Sequence, residues 1–241
     1  MPGAPTPRIQ LLSILKYFFN ITILSFLSFA GLAQETDTVL TARDFVPTGV
    51  RIGTDLIAIV RTTYDKTFNG WELNGDVDFH RYYLAVDFGY SARTYVSDTA
   101  DYANDGTYFR IGADVNFLKN DPDRNMFFFG LRYGVGTFNE TLSVVAFDPT
   151  WGPLDGTFSN TRAQASWMEI TTGLRVKVWK MIWLGYTARL KFGLNTSNTP
   201  EMLPHDVPGY GRAAEDYYWG FNYQILVRLP VRKAGSFGPK K

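Results

Sequence analysis

Between Gly49 and Leu229 the sequence alternates apolar and polar residues with a period of two in eight separate runs, a pattern that excludes a helical core. Successive side chains of a strand point to opposite faces, so each run encodes one apolar and one polar face. The predicted strands are Gly49–Val60, Trp71–Phe79, Tyr82–Tyr90, Tyr108–Phe117, Phe127–Phe138, Gln164–Trp179, Ile182–Gly193 and Tyr217–Leu229. In the fifth, Phe127, Phe129, Leu131, Tyr133 and Val135 oppose Gly130, Arg132 and Gly134. Most runs reach the roughly 9–11 residues with which a tilted strand crosses a bilayer.

The connections alternate as well. His80-Arg81, Leu118–Asn125 and Lys180-Met181 are short, whereas Arg61–Gly70, Ala92–Thr107, Asn139–Ala163 and Leu194–Asp216 are long. Short turns at one rim and long loops at the other are the layout of outer-membrane barrels. The expectation is therefore all-β: an eight-stranded antiparallel up-and-down transmembrane β-barrel over residues 49–230. Its short turns would be periplasmic and its long loops extracellular.

A soluble lipocalin-like barrel for an apolar ligand has the same alternation turned inside out, and three features oppose it. Glycine is frequent on the polar face (Gly53, Gly89, Gly112, Gly130, Gly134, Gly173, Gly185 and Gly220), where it packs nothing in water but leaves room inside a narrow tube. Aromatics gather at strand ends: Trp71, Tyr90, Tyr95, Trp167 and Trp219 towards the loops, Tyr82, Phe117, Phe127, Trp179 and Trp183 towards the turns. Such rings prefer the two bilayer interfaces. The polar-face charges also nearly cancel. Arg51, Arg110, Arg132, Arg175, Lys177, Arg189, Lys191 and Arg228 stand against Asp55, Glu72, Asp76, Asp78, Asp87, Asp114 and Glu169. A closed lumen filled by ion pairs requires such a balance, because an unpaired buried ion is very costly.

The first residues read as a targeting segment. Arg8 and Lys16 precede an apolar stretch from Tyr17 to Ala33 that closes on Ala30-Gly31-Leu32-Ala33, so residues 1–33 are expected to be a cleaved signal peptide. Residues 34–48 would form a periplasmic segment and 231–241 a basic tail. The 24 Lys+Arg against 23 Asp+Glu give no basic excess for nucleic acid, and the absence of cysteine excludes disulfides and thiolate chemistry. The expected location is the outer membrane, with its lipid as one partner and an envelope protein as another.

No catalytic constellation, cofactor motif or metal site is expected. His80 falls in a turn, and His205 lies in a long loop without a nucleophile beside it. The acidic stretch Asp98–Gly106 lacks the spaced acceptors and distal Glu of a calcium loop. The competing functional reading, a lipid- or peptide-modifying enzyme at the loop face, would need His205 or a lumen acid pair such as Glu72 and Asp76. Phe147, Trp151, Tyr210, Tyr217 and Tyr218 are candidate loop contacts for a partner.

The chain also resembles a family of small Bacteroidota outer-membrane proteins known only as a domain of unknown function. The residues that carry this are Val50–Leu56, Phe128–Phe138, Trp167-Met168-Glu169 before Gly173, Leu184-Gly185, and Pro208-Gly209-Tyr210 before Gly220–Tyr223. The resemblance implies an outer-membrane β-barrel, assigns no catalytic residues, and allows association with the protein-assembly or secretion machinery of the envelope. The chain departs from barrels that end on an aromatic of the last strand, because it continues past Leu229 into the tail.

Overall fold

Eight antiparallel strands close on themselves in the order β1-β10-β7-β6-β5-β4-β3-β2. They are β1 (Gly49–Asp55), β2 (Phe68–Phe79), β3 (Tyr82–Val96), β4 (Ala100–Asn116), β5 (Met126–Asp148), β6 (Gly152–Trp179), β7 (Ile182–Ser197) and β10 (Tyr217–Pro230). A helix, α1 (Leu56–Tyr64), follows β1, and a two-stranded ribbon, β8 (Asp206–Val207) with β9 (Gly211–Arg212), precedes β10. The structure, a computed structural model, describes residues 46–118, 121–148, 150, 152–215 and 217–231. The expected signal segment, most of the segment after it and the tail from residue 232 lie outside the described residues. The barrel closes between first and last strands, from Gly49↔Pro230 to Asp55↔Gln224, which removes every edge within the wall.

Apolar residues face out and charged ones face in. Leu73, Leu131, Val178 and Phe221 are each more than half exposed, whereas Arg110, Arg132, Asp114, Glu169 and Arg189 are buried. This is the reverse of a water-soluble barrel and is the wall of a bilayer-spanning one. Among the end aromatics, Trp71, Tyr82, Phe117, Phe127, Trp179 and Trp219 are exposed on the outside, Tyr90 is half-buried, and Tyr95 is partly exposed on the inward-facing side of β3, against Tyr102. Trp167 and Trp183, expected in the girdles, instead point into the barrel and are buried.

Two boundaries differ from the expectation. The first strand stops at Asp55, whose carboxylate accepts the Ile57 N–H at 3.1 Å and caps α1. From Leu56 to Val60 the residues are continuously apolar, so strand alternation fails there and a helix takes over. The loops expected at 92–107 and 139–163 are largely strand: β3 pairs with β4 up to Val96↔Asp101, and β5 with β6 up to Asp148↔Gly152. These hairpins project well past the upper end of β7, where pairing with β6 stops at Gln164↔Ser197.

The glycines pair with the largest inward side chains. Trp167 lies opposite Gly134 on one neighbour and Gly193 on the other, with a register shift between Ser166 and Trp167. Tyr108 lies between Gly89 and Gly136, and Arg132 has Gly112 beside it. A small residue next to each large one lets a narrow tube hold them. A Cβ at Gly134 would fall on the Trp167 indole, and one at Gly89 on the Tyr108 ring. Gly134→Val should therefore lower stability by about 1–3 kcal/mol through overpacking, seen as an earlier urea midpoint in lipid vesicles.

Candidate functional site

Among the described residues the lumen is the largest concentration of buried charge, and its ion pairs run on from one to the next. Arg51 Nε donates to Asp76 at 2.8 Å, and Arg175 also binds Asp76. Arg175 reaches Asp114 at 3.8 Å, and Arg132 binds Asp114 at 3.0 Å as well as Asp87. Arg189 then joins Asp87 at 3.2 Å to Glu169 at 3.0 Å. Arg110 completes the upper layer, binding Glu72 and lying 3.4 Å from Glu169. At the turn end, Asp78 accepts from Arg228 at 2.7 Å and from the Gly49 N–H at 3.0 Å.

Neutral groups add further donors to Glu72, Asp87 and Glu169. Asn74 Nδ2 donates to Glu72 and Asp87 at 2.7 Å each, Tyr108 donates to Glu72 at 2.7 Å, and Trp167 Nε1 donates to Glu169 at 2.8 Å. The guanidinium groups also lie over rings, Arg51 over Tyr83 at 4.7 Å and Arg175 over Phe128 at 5.0 Å. Tyr83, Met126 and Phe128 form a small apolar cluster on the lumen side, so the interior is not wholly polar.

Three residues expected in this network do something else. Asp55 has no ion pair among the described residues; it caps α1 and accepts from Asn222 Nδ2 at 2.8 Å. Lys191 donates to the Gly209 and Tyr210 carbonyls at 2.7 and 3.0 Å. Lys177 sits at the turn rim, partly exposed, 2.8 Å from Asp123. The sequence reading set Asn74, Asn222 and Gln224 on the polar face but left them, and Tyr108, out of the network; all four occupy inward positions of their strands and are buried. Their signal was parity alone, since a neutral polar residue on a strand looks like a solvent-facing one.

The upper mouth is closed by the β8–β9 ribbon. Asp206 pairs with Arg93 at 2.8 Å, its carbonyl accepts from Asn104 at 2.5 Å, and Val207 and Tyr210 are buried against Tyr108, Phe138 and Trp167. Gly209, at φ +82, turns the ribbon in a left-handed conformation directly over the Tyr108 ring, where a Cβ would collide. Tyr210, expected as an exposed contact, is thus an internal residue: its hydroxyl accepts the Gly193 N–H at 3.1 Å and donates to the Glu215 carbonyl at 2.8 Å. The apolar rings at the lumen's upper end need a cover, and the loop supplies it. Tyr217 is exposed, and Tyr218 packs on Tyr210 with ring centroids 6.4 Å apart. Phe147 lies on β5, its side chain undescribed, and Trp151 lies outside the described residues.

The two histidines occupy opposite ends of the molecule. His80, at φ 64, makes the turn between β2 and β3. His205 lies edge-on to Tyr95 and Tyr102, with centroids 6.4 and 5.2 Å away. Clefts of about 340 and 160 Å³ flank the ribbon, the first against Ser166, Asn195 and Thr196, the second against α1. Among the described residues no group of three His, Asp or Glu side chains converges as metal ligands do.

Burial pushes the Asp206 carboxyl above its ordinary value, outweighing the opposing pull of Arg93. A carboxyl raised in the docked state binds its proton more readily there than in a free loop, so docking strengthens as pH falls through the raised value. Amide exchange over residues 204–212 should accordingly not accelerate in mild acid. For the lumen, Asp87→Asn leaves Arg110, Arg132 and Arg189 short of a shared partner. Breaking a buried pair of this kind should cost about 3–5 kcal/mol in urea unfolding.

A family model described as Domain of unknown function (DUF6048) matches residues 13–234. Among solved structures, Neisserial surface protein A (NspA) is similar at 12% identity and a TM-score of 0.34, covering 76% of this chain and 95% of that one. CarO of Acinetobacter baumannii is similar at 14% identity and a TM-score of 0.35, covering 78% of this chain and 99% of the other. A comparison with curated proteins gives no match.

Proposed function

We propose, for a chain that belongs to the Domain of unknown function (DUF6048) family, a non-catalytic role as a sealed outer-membrane barrel that serves as a structural or accessory component of the cell envelope. In this reading it is exported through the segment 1–33, its short turns face the periplasm, and it works as a fixed scaffold beside an envelope protein, such as a component of an assembly or secretion complex. The observation that carries the reading is double closure. The Arg–carboxylate ladder fills the tube, and the ribbon held by Lys191, Arg93 and Tyr210 caps it. A solute pore needs a continuous path along the axis, and the ladder of ion pairs below Glu72 and Arg110 lies across that path; the cleft of about 160 Å³ beside the ribbon reaches Glu72, Arg110 and Lys191 at its upper end.

The apolar outer wall supports the membrane location, because burying it in lipid rather than water is favourable by about 25 cal/mol per Å². Fractionation should recover the protein in membranes as a heat-modifiable band, and soluble material would contradict the reading. In planar bilayers the protein should show no stable conductance, and neither should a variant lacking residues 199–214, since the ladder alone closes the tube. A reproducible open channel in the intact protein would overturn the proposed role.

A further inference from the structure

The hairpins that project past β7 form a four-stranded sheet made of the upper parts of β3, β4, β5 and β6, and this sheet has an open edge. Up to Gln164, β6 is paired on both sides. Above it, residues 198–202 cover β6 as far as Ser159, whose N–H donates to Glu201 at 2.5 Å. That bond fixes the parity. The N–H of Ser159 points away from β5, so the N–H and C=O groups of Thr157 and Asp155 point the same way. Among the described residues they have no partner on that side, and Pro153, which lacks an N–H, ends the usable stretch.

The two faces of this sheet differ. Tyr95, Tyr102, Leu142 and Phe158 stand in one cross-strand row, with Ala100, Val144 and Gly156 in the next row outward. Phe158 and Tyr95 remain 43% and 42% exposed, so the row is incompletely covered. The other face carries Asp101, Asp105, Ser143, Thr157 and Asp155. The charge is one-signed: neither 94–109 nor 133–161 contains a Lys or Arg, while these stretches hold Asp98, Asp101, Asp105, Glu140, Asp148 and Asp155.

We propose that this edge of β6 receives an extended segment of another protein in which apolar and basic residues alternate. Backbone groups would pair with Asp155 and Thr157, apolar side chains would extend the Phe158 row, and basic ones would lie beside Asp155. A second copy of the chain does not fit. Two barrels in one membrane run their β6 strands in the same direction, and a two-fold axis between them sets N–H against N–H. The inference rests on the envelope reading for the exclusion of a second copy and for the side of the membrane from which the partner comes.

The test uses the full barrel in lipid nanodiscs and a labelled peptide of alternating valine and lysine, with a valine–glutamate peptide as its counterpart. The lysine peptide should bind, slow amide exchange across 154–158, and lose affinity by about tenfold in Thr157→Pro, which removes one outward N–H without touching the β5 ladder. Asp155→Lys, a change at an exposed side chain, should reverse the preference towards the glutamate peptide. Absence of binding overturns the proposal. So does binding that ignores both substitutions and leaves exchange unchanged, because that is adsorption to an acidic surface. If the barrel is heat-modifiable in membranes and the peptide fails, this inference falls alone; if the protein proves soluble, peptide binding still reports on the edge.

Discussion

The cost of holding a charge away from water organises this molecule. Seven cations (Arg51, Arg110, Arg132, Arg175, Arg189, Lys191 and Arg228) and seven carboxylates (Asp55, Glu72, Asp76, Asp78, Asp87, Asp114 and Glu169) share a tube narrow enough for side chains to fill. An ion held there needs partners, and four of the guanidinium groups, those of Arg110, Arg132, Arg175 and Arg189, bridge acids on different strands. That bridging ties β1 and β2 to β6 through Asp76, and β3 to β5 and β7 through Asp87, across the lumen rather than around the wall. The glycines follow from the same demand, since Trp167, Tyr108 and Arg132 fit only where a neighbouring strand offers no side chain.

The mouth extends this logic to the backbone. Lys191, at the mouth of the lumen, has carbonyl oxygens, not a carboxylate, as its acceptors. It therefore binds the ribbon into the barrel, and the apolar cluster around Tyr210 shields the contact from water. Above the ribbon the constraint relaxes. The projecting sheet is solvated, tolerates unpaired aspartates, and keeps a β6 edge that closure of the wall removed everywhere below.

Period-two alternation made the eight strands, their antiparallel order and the inward charges readable, because a strand's faces are written directly into its sequence. Trp167 shares the parity of Glu169 and Trp183 that of Gly185, so parity set both on the inward face; their assignment to the interfaces followed strand-end position alone, and both turn inward. Parity does not distinguish a loop from a strand that continues into water, as at 139–163, where polar and apolar residues still alternate. The burial of Tyr210 was hidden for another reason: a loop that folds back into its own barrel is fixed by long-range partners, Gly193 and Lys191, that no local pattern contains. Asp55 read as a lumen charge, yet the continuous apolar run after it marked a helix start.

The account rests on the lumen charges being mutually compensated, and a double-mutant cycle on Glu169 and Arg189, followed by urea unfolding in lipid vesicles, addresses that directly. Compensation predicts that Glu169→Gln and Arg189→Met together cost less than the sum of the single changes, with a coupling of about 1–3 kcal/mol. Additive losses would mean that the two groups do not depend on each other, and would contradict the paired interior on which the sealed barrel is argued.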